Sequence, residues 1–383
     1  MKSSGQKTAM RVPMLDLSRG YAAIREEVLE AVAHVCDSQH YILGEEVTAF
    51  EGEFAGLCGT AYAVACASGT DALWLGLAAG GINSGDSVIT TPFSFFATAS
   101  SIVRAGARPV FVDVEPETLN LDPHKVRQRL EGASPHPEAM MPVHLYGQCA
   151  NMDALNALAA EFSATILEDA AQAVGAAWNG KAAGSLGGAA AFSFYPTKNL
   201  SAFGDAGILT TNNPDLAARA RSLRNHGSKQ RYYHDEIGAN SRLDSIQAAV
   251  LRVKMKRLPQ WNKLRAERAR TYDQLFERAG LAGKKVSSLK TRPESLHIFH
   301  QYVIRVPQRD ELRSFLMERG VSTEVYYPVP LHLQKCFAYL GYTEGELPEA
   351  ERAAKEVLAL PMFPELETEE QKYVVESIAE FYS

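Results

Sequence analysis

Short runs of apolar residues alternate, over the first half of the chain, with longer stretches in which apolar positions recur at helical spacing. The runs fall at YAVACA (62–67), SVITTP (87–92), RPVFVDV (108–114), AMMPVHL (139–145), ATILEDA (164–170), AAAFSFY (189–195) and GILTTN (207–212). Segments such as TDALWLGLAAG and MDALNALAAEF lie between several of them, each closing on a glycine or small residue where a helix should stop. Strand and helix in alternation predict an α/β fold with a mostly parallel seven-stranded sheet.

The texture changes after position 240. Leu243, Ile246, Val250, Val253, Trp261, Leu264, Tyr272 and Leu275 sit close to helical spacing with Lys and Arg on the other face, and Pro259 predicts a kink or break. This reads as one or two helices leaving the large domain. Beyond them QYVIRVP, the helical ELRSFLMERG, STEVYY and a last acidic helical stretch predict a smaller α/β lobe. The expected division is 1–250 for a large domain with an N-terminal helical segment, and 251–383 for the connecting helix and a small C-terminal domain.

Size and charge narrow the function. A chain of 383 residues suggests two domains, and its 46% hydrophobic and 22% charged residues are ordinary globular values. A net charge of −6 gives no footprint for nucleic acid or an anionic membrane. The N-terminal MKSSGQKTAMRVPMLDL lacks the apolar centre of a signal peptide, and no window reads as a membrane span, so a cytoplasmic enzyme is expected. The five cysteines, Cys36, Cys58, Cys66, Cys149 and Cys336, show neither metal-ligand nor disulfide spacing and are expected to be buried small hydrophobes.

Three motifs carry chemistry. In VACASGTDALWLGL a strand runs through Ser68, Gly69 and Thr70 into a helix, which sets hydroxyls and free backbone N–H groups where a phosphate can sit, although Ser68 or Thr70 serving only as a helix cap reads equally well. In ATILEDAAQ the acid Asp169 falls just past a strand, at the sheet edge where open parallel sheets bind ligands, with Gln172 three residues on. In SFYPTKNLSAFGDAG a further strand delivers Ser193 and then Lys198 on a loop bounded by Pro and Gly. A lysine desolvated in a site exposes its neutral amine and can condense with a carbonyl. Phosphate seat, acid and lysine in this order describe pyridoxal phosphate: an acid on the ring nitrogen, a lysine on C4′ and a helix end on the phosphate.

The chain resembles the nucleotide-sugar aminotransferases of the DegT/DnrJ/StrS type, pyridoxal phosphate enzymes of fold type I. HYILGEEVTAFEGEFAGLCG, ASGTDAL, TPFSFFATA, VHLYGQ, EDAAQ, FSFYPTKNLSAFGDAG, NHG, GANSRLDSIQAAVL and YYPVPLHLQ carry the likeness in order along nearly the whole length. The resemblance implies that Lys198 is the Schiff-base lysine and proton shuttle, Asp169 the partner of the pyridine nitrogen, and Gln172 a contact of the ring's phenolic oxygen. It places Phe95, or its neighbour Phe96, over the ring. Gly69, Thr70 and Ser193 would hold the phosphate, joined by Asn240 from the second subunit of a homodimer with shared active sites. Tyr195, Arg242, Tyr327 and His332 are the candidates for substrate contact. Where many relatives read His-Tyr-Pro, this chain has Tyr326, Tyr327 and Pro328, which leaves His332 or no histidine for that role.

Relatives that dehydrate deoxysugars carry histidine at the lysine position, so Lys198 implies transamination. The implied reaction is ping-pong: L-glutamate leaves its amine on the cofactor, as pyridoxamine phosphate, and departs as 2-oxoglutarate, and a keto-sugar nucleotide then takes the amine. GANSRLDSIQAAVL looks more like members acting on 3-keto sugars, UDP- or dTDP-linked, than like 4-keto members, which more often have an aromatic at Ser241. The product would enter lipopolysaccharide, another surface glycan or a glycosylated metabolite. A 4-keto substrate, and a cofactor-binding sensor without turnover, are the alternatives.

Overall fold

The computed structural model describes residues 10–383; the stretch 1–9, part of the N-terminal segment read above as lacking a signal-like core, lies outside them. The seven predicted runs form one sheet: β1 (Tyr62–Cys66), β2 (Ser87–Thr90), β3 (Arg108–Phe111), β4 (Ala139–Met141), β5 (Thr165–Asp169), β6 (Ala189–Ser193) and β7 (Gly207–Thr211). Their order is β1-β7-β6-β5-β4-β2-β3, with β7 antiparallel to both neighbours and every other pair parallel. The carboxyl ends of the other six strands therefore share one edge.

Helices α1 (Arg25–Ser38) and α2 (Glu45–Cys58) precede the sheet, α3 (Gly69–Ala79) and α4 (Ala97–Arg104) follow β1 and β2, and α5 (Ser245–Met255) leads out of it. One apolar cluster packs α2 and α5 on the sheet through Phe50, Phe54, Phe192, Phe194 and Leu251, while a second fills the other face through Leu73, Leu75, Leu77 and Leu209. Both faces are covered, which is why the strands read as unbroken apolar runs.

The connecting segment is two helices, α5 and then α6 (Leu258–Arg278), with Pro259 in the first turn of α6, where its missing N–H breaks no helical bond. A division at 250 falls inside α5, which packs on α1 and α2. The second lobe holds a sheet of β8 (Ser287–Ser288), β9 (Tyr302–Arg305) and β10 (Val357–Leu360), all antiparallel, with helices α7 (Arg309–Glu318), α8 (Pro348–Glu356) and α9 (Thr368–Phe381). STEVYY forms no strand; only Glu324 bridges to Ala359, and the chain continues as the arm that carries Tyr327. Val12 bridges to Val321, so the start of the described chain belongs with this lobe. No helix among the described residues is long and apolar enough to cross a membrane. Cys58, Cys66 and Cys149 are buried as expected, whereas Cys36 and Cys336 are exposed because they end a surface helix and begin a surface turn.

Candidate active site

Loops following β1, β2, β5 and β6 converge at the shared edge of the sheet. After β1, Ser68 is extended and its hydroxyl accepts the Asp71 N–H at 3.1 Å, which makes it the cap of α3. Among the described residues the Gly69 and Thr70 N–H groups have no protein acceptor, so two helix-end donors stay free for an anion. Capping and phosphate seating are thus compatible: Ser68 does the first and leaves the second open. Across from them stands half-buried Ser193, brought close because Cys66 and Ser193 both pair with Gly207 of β7. A Cβ on Gly69 would lie 2.5 Å from Ser193 Cβ, and one on Gly207 2.3 Å from the Ser68 carbonyl carbon. Only glycine fits at either position, and their absent side chains form the cradle.

Strand alternation separates the two acids of β5. Glu168 accepts the N–H groups of Gly184, Leu186 and Gly187 at 2.9, 2.8 and 2.7 Å, and lies 2.9 Å from His144 Nε2. The Ala150 N–H donates to His144 Nδ1 at 3.2 Å, which leaves the ring proton on Nε2 for Glu168. This acid clamps the 184–187 loop. Asp169 faces the site instead: Thr98 Oγ1 donates to its Oδ2 at 2.7 Å and the Ala171 N–H to Oδ1 at 3.2 Å. With the Thr98 proton so committed, the Ser94 hydroxyl donates to Thr98 Oγ1 at 2.8 Å. Burial pushes the Asp169 carboxyl above its ordinary range, and the Thr98 and Ala171 bonds and the Lys198 charge oppose the rise.

The two acids should separate experimentally. Glu168→Gln is expected to cost about 2–4 kcal/mol of stability, since a buried hydrogen-bonded charge is lost and amide N–H groups face N–H donors. Asp169→Asn should change stability less and lower kcat on the order of 100-fold through lost electrostatic stabilisation. Denaturant unfolding and steady-state rates on both variants check the assignment; a reversed pattern contradicts it.

Lys198 closes a turn in which its own N–H donates to the Tyr195 carbonyl at 2.8 Å. The next residue, Asn199, is held by Asn262 Oδ1 at 2.8 Å and lies 3.0 Å from His300 Nδ1, so the lysine rides on a fixed loop. Burial pulls its ammonium down to about 8, against the opposing pull of Asp169. The folded chain therefore holds fewer protons than the unfolded one between about pH 8 and 10.5, and the burial penalty on the ammonium, full below pH 8, is relieved as pH rises across that window. Reaction of the cofactor-free protein with pyridoxal phosphate should accelerate with a midpoint near pH 8. A midpoint above 10, where an ordinary lysine titrates, would contradict this.

Gln172 bridges the lobes. Its Oε1 accepts the Tyr146 N–H at 2.6 Å and its Nε2 donates to Tyr327 Oη at 3.2 Å. The Tyr327 ring lies 6.4 Å from that of Phe95, while the Phe96 ring turns away to Phe337 at 5.6 Å. Of the two adjacent aromatics, Phe95 is the one on the Gln172–Tyr327 side, and its ring is 60% exposed.

Not every predicted residue comes to this place. His332 is buried, with Nε2 3.1 Å from Glu351 Oε1 and its ring among Phe111 and Tyr342, so its side chain packs inside the protein rather than facing an open site. Burial in that apolar cluster, which its loop sequence did not signal, overrides the expectation. Asn240 is exposed, and Arg242 donates to Asn225 Oδ1 at 3.1 Å. Between them Ser241 is buried, donating to Asp71 Oδ2 at 2.8 Å and accepting the Ala67 N–H at 3.4 Å, which ties this segment to the anion loop. The Tyr195 ring is exposed on the lysine loop. Sequence reasoning missed Thr98 and Ser94, whose only signal was a pair of hydroxyls one helical turn apart in SFFAT.

The donor set fits pyridoxal phosphate: free N–H groups and a glycine cradle for the phosphate, a buried carboxyl for a protonated ring nitrogen and an amine of lowered basicity for the carbonyl carbon. Comparison with known proteins agrees. A pleiotropic regulatory protein of Geobacillus stearothermophilus is 52% identical, over 97% of this chain and 99% of its own. A dTDP-3-amino-3,4,6-trideoxy-alpha-D-glucose transaminase of Streptomyces venezuelae is 44% identical, over 99% and 98%. The solved structure of NtdA from Bacillus subtilis with bound cofactor PMP superposes with a TM-score of 0.89 at 30% identity, covering 98% of this chain and 85% of that one. The model of the DegT/DnrJ/EryC1/StrS aminotransferase family matches residues 22–379. With the fold type I architecture and the site above, the chain is a pyridoxal phosphate-dependent aminotransferase and belongs to the DegT/DnrJ/EryC1/StrS family.

Proposed function

We propose that this aminotransferase moves an amino group from L-glutamate to C3 of a keto-sugar nucleotide, UDP- or dTDP-linked, in the cytoplasm. The observation that carries the reading is the joint placement of Lys198, Asp169 and the Gly69–Ser193 cradle on one sheet edge, in a chain 44% identical to a transaminase named for a 3-amino sugar nucleotide.

When bound, pyridoxal phosphate supplies an electron sink for charge developing on the donor's α-carbon. The protein does the rest. Gly69, Thr70 and Ser193 bind the phosphate, with Asn240 reaching in from a second copy of the chain, and the dipole of α3 favours the negative charge. Asp169, oriented by Thr98, keeps a proton on the pyridine nitrogen. Gln172 and Phe95 fix the ring's orientation, and Tyr327 is set by Gln172 to meet the sugar. Lys198 would hold the cofactor at C4′, and its amine, with a pKa lowered by burial to about 8, would serve as the base that moves a proton at the substrate carbon. Tyr195 and Arg242 stand at the margin as substrate contacts.

Absorbance of the bound cofactor tests this reading. L-Glutamate alone should bleach the yellow band and yield one equivalent of 2-oxoglutarate, and a 3-keto-sugar nucleotide should restore it. Restoration by 4-keto sugars only would move the nitrogen to C4. The name of the Geobacillus relative favours a second reading, a cofactor-holding sensor, which predicts a stable band that neither reagent changes.

A further inference from the structure

The lysine loop is held from the second lobe as well as from its own. Asn262 and Arg265, three residues apart on α6, reach two neighbouring segments, the first the lysine loop and the second the 298–300 stretch that leads into β9. Arg265 Nη1 donates to the carbonyls of Phe299, His300 and Met362 at 3.3, 3.1 and 3.1 Å. On the other side the Ile298 N–H donates to the Gly147 carbonyl at 3.1 Å. The backbone that carries the His300 ring is pinned at both ends.

Only one arrangement of protons satisfies the contact between that ring and the loop. The Val174 and Ile298 carbonyls can only accept. Asn262 Nδ2 donates to Val174 at 3.0 Å, which turns its Oδ1 toward the amide of Asn199. Asn199 Nδ2 donates to that Oδ1 at 2.8 Å and to the Ile298 carbonyl at 3.4 Å, so Asn199 Oδ1 is the atom left facing His300 Nδ1 at 3.0 Å. An amide oxygen has no proton to give, and Nδ1 must carry it. Burial, with the charges of Lys198 and Arg265, holds the ring's pKa well below the usual histidine range, so the ring is neutral and its tautomer is Nδ1–H. Both side chains are buried, and without this proton Asn199 Oδ1 would be a buried acceptor with no donor among the described residues.

We infer that His300 is a positioning residue for Lys198: through its Nδ1–H it holds Asn199, the next residue in the chain, and so fixes how deeply the lysine amine sits. The second lobe thereby sets the reactive group of the first. The inference rests on the proposed role of Lys198 but on no particular sugar or amino donor. Lys198 and Arg265 are the charged groups that face His300, and Asp169 on β5 faces Lys198. Burial is what draws the lysine amine down to about 8, so a loop released from His300 admits water to the ammonium and returns it toward its ordinary value.

Two measurements test it. Long-range ¹H–¹⁵N spectra of histidine-labelled holoenzyme should show, for the signal that His300→Asn removes, a neutral ring protonated on Nδ1 at neutral pH. A ring protonated on Nε2, or on both nitrogens, overturns the inference. The second is the pH midpoint at which cofactor-free protein condenses with pyridoxal phosphate. His300→Phe keeps a ring and loses the donor; it should raise the midpoint by about one pH unit or more and slow condensation at neutral pH about tenfold. Asn199→Ala, which removes the acceptor instead, should shift it the same way. His300→Asn sets an amide donor near the Nδ1 position and should leave the midpoint near 8. Thermal unfolding confirms which variants are folded. A folded His300→Phe or Asn199→Ala protein that melts earlier with its midpoint unmoved shows a merely structural residue and overturns the inference, as does an equal shift in His300→Asn and His300→Phe. Borohydride labelling of a lysine other than Lys198 removes the proposed role of Lys198 and this inference with it, whereas an unmoved midpoint with Lys198 labelled removes the inference alone.

Discussion

Lys198→Ala is expected to lower kcat by roughly 1,000-fold or more, because the substitution removes both the group that holds C4′ and the base that moves the proton. The fold should survive. The Lys198 side chain makes no hydrogen bond among the described residues, and its loop is held by Asn199, Asn262 and the Tyr195 carbonyl. The anion cradle and Asp169 are also intact in this variant, so cofactor should still bind without covalent attachment. Borohydride reduction followed by peptide mapping should mark Lys198 in the wild type and nothing in the variant. A label on Lys254, a buried lysine whose amine is likewise lowered to about 8, would show that basicity alone chose the residue. Labels on Lys181 or Lys229 would remove Lys198 from the mechanism.

Subunit mixing should produce a large change in the opposite direction. If each site takes Lys198 and Asp169 from one chain and Asn240 from the other, then Lys198→Ala and Asn240→Ala proteins are each defective alone. A heterodimer holds one site with both defects and one with neither. Random exchange gives half heterodimers, so activity should recover to about one quarter of wild type. The placement of Asn240 motivates the experiment: it is exposed in its own chain, while buried Ser241 anchors the segment beside the anion loop. Nearby Tyr232, Tyr233 and Ile237 are 80, 66 and 97% exposed, an apolar surface that a second copy would cover. No recovery despite proven heterodimers would place Asn240 in its own chain's site or outside both.

The large sheet was legible in the sequence because strands covered on both faces become unbroken apolar runs, and each of the seven runs found its place. The antiparallel insertion of β7 was not legible, since local pattern carries no strand direction. That insertion sets Gly207 between Cys66 and Ser193 and so makes the cradle. Motif order pointed to Lys198 and Asp169, and the alternation of β5 gives the physical reason for choosing Asp169 over Glu168: the same period that turns one acid to the site turns the other to the 184–187 loop. His332 misled because a histidine near a Tyr-Pro loop looks available, whereas Phe111 and Tyr342, more than two hundred positions of sequence away in the first case, enclose it. Thr98 was invisible for a related reason. What a hydroxyl does depends on which partners the fold grants or withholds.

The central claim, that this site aminates C3 of a sugar nucleotide, is tested most directly by nitrogen tracing. Wild-type protein is incubated with ¹⁵N-labelled L-glutamate and, separately, with 3-keto and 4-keto sugar nucleotides, and the products are read by ¹⁵N-edited proton NMR. The account predicts a nitrogen-coupled proton at position 3 of the sugar from the 3-keto substrates, with one 2-oxoglutarate released per amine transferred and no signal when Lys198→Ala replaces the wild type. Label appearing only at position 4, or remaining entirely in glutamate with every keto sugar, would contradict it.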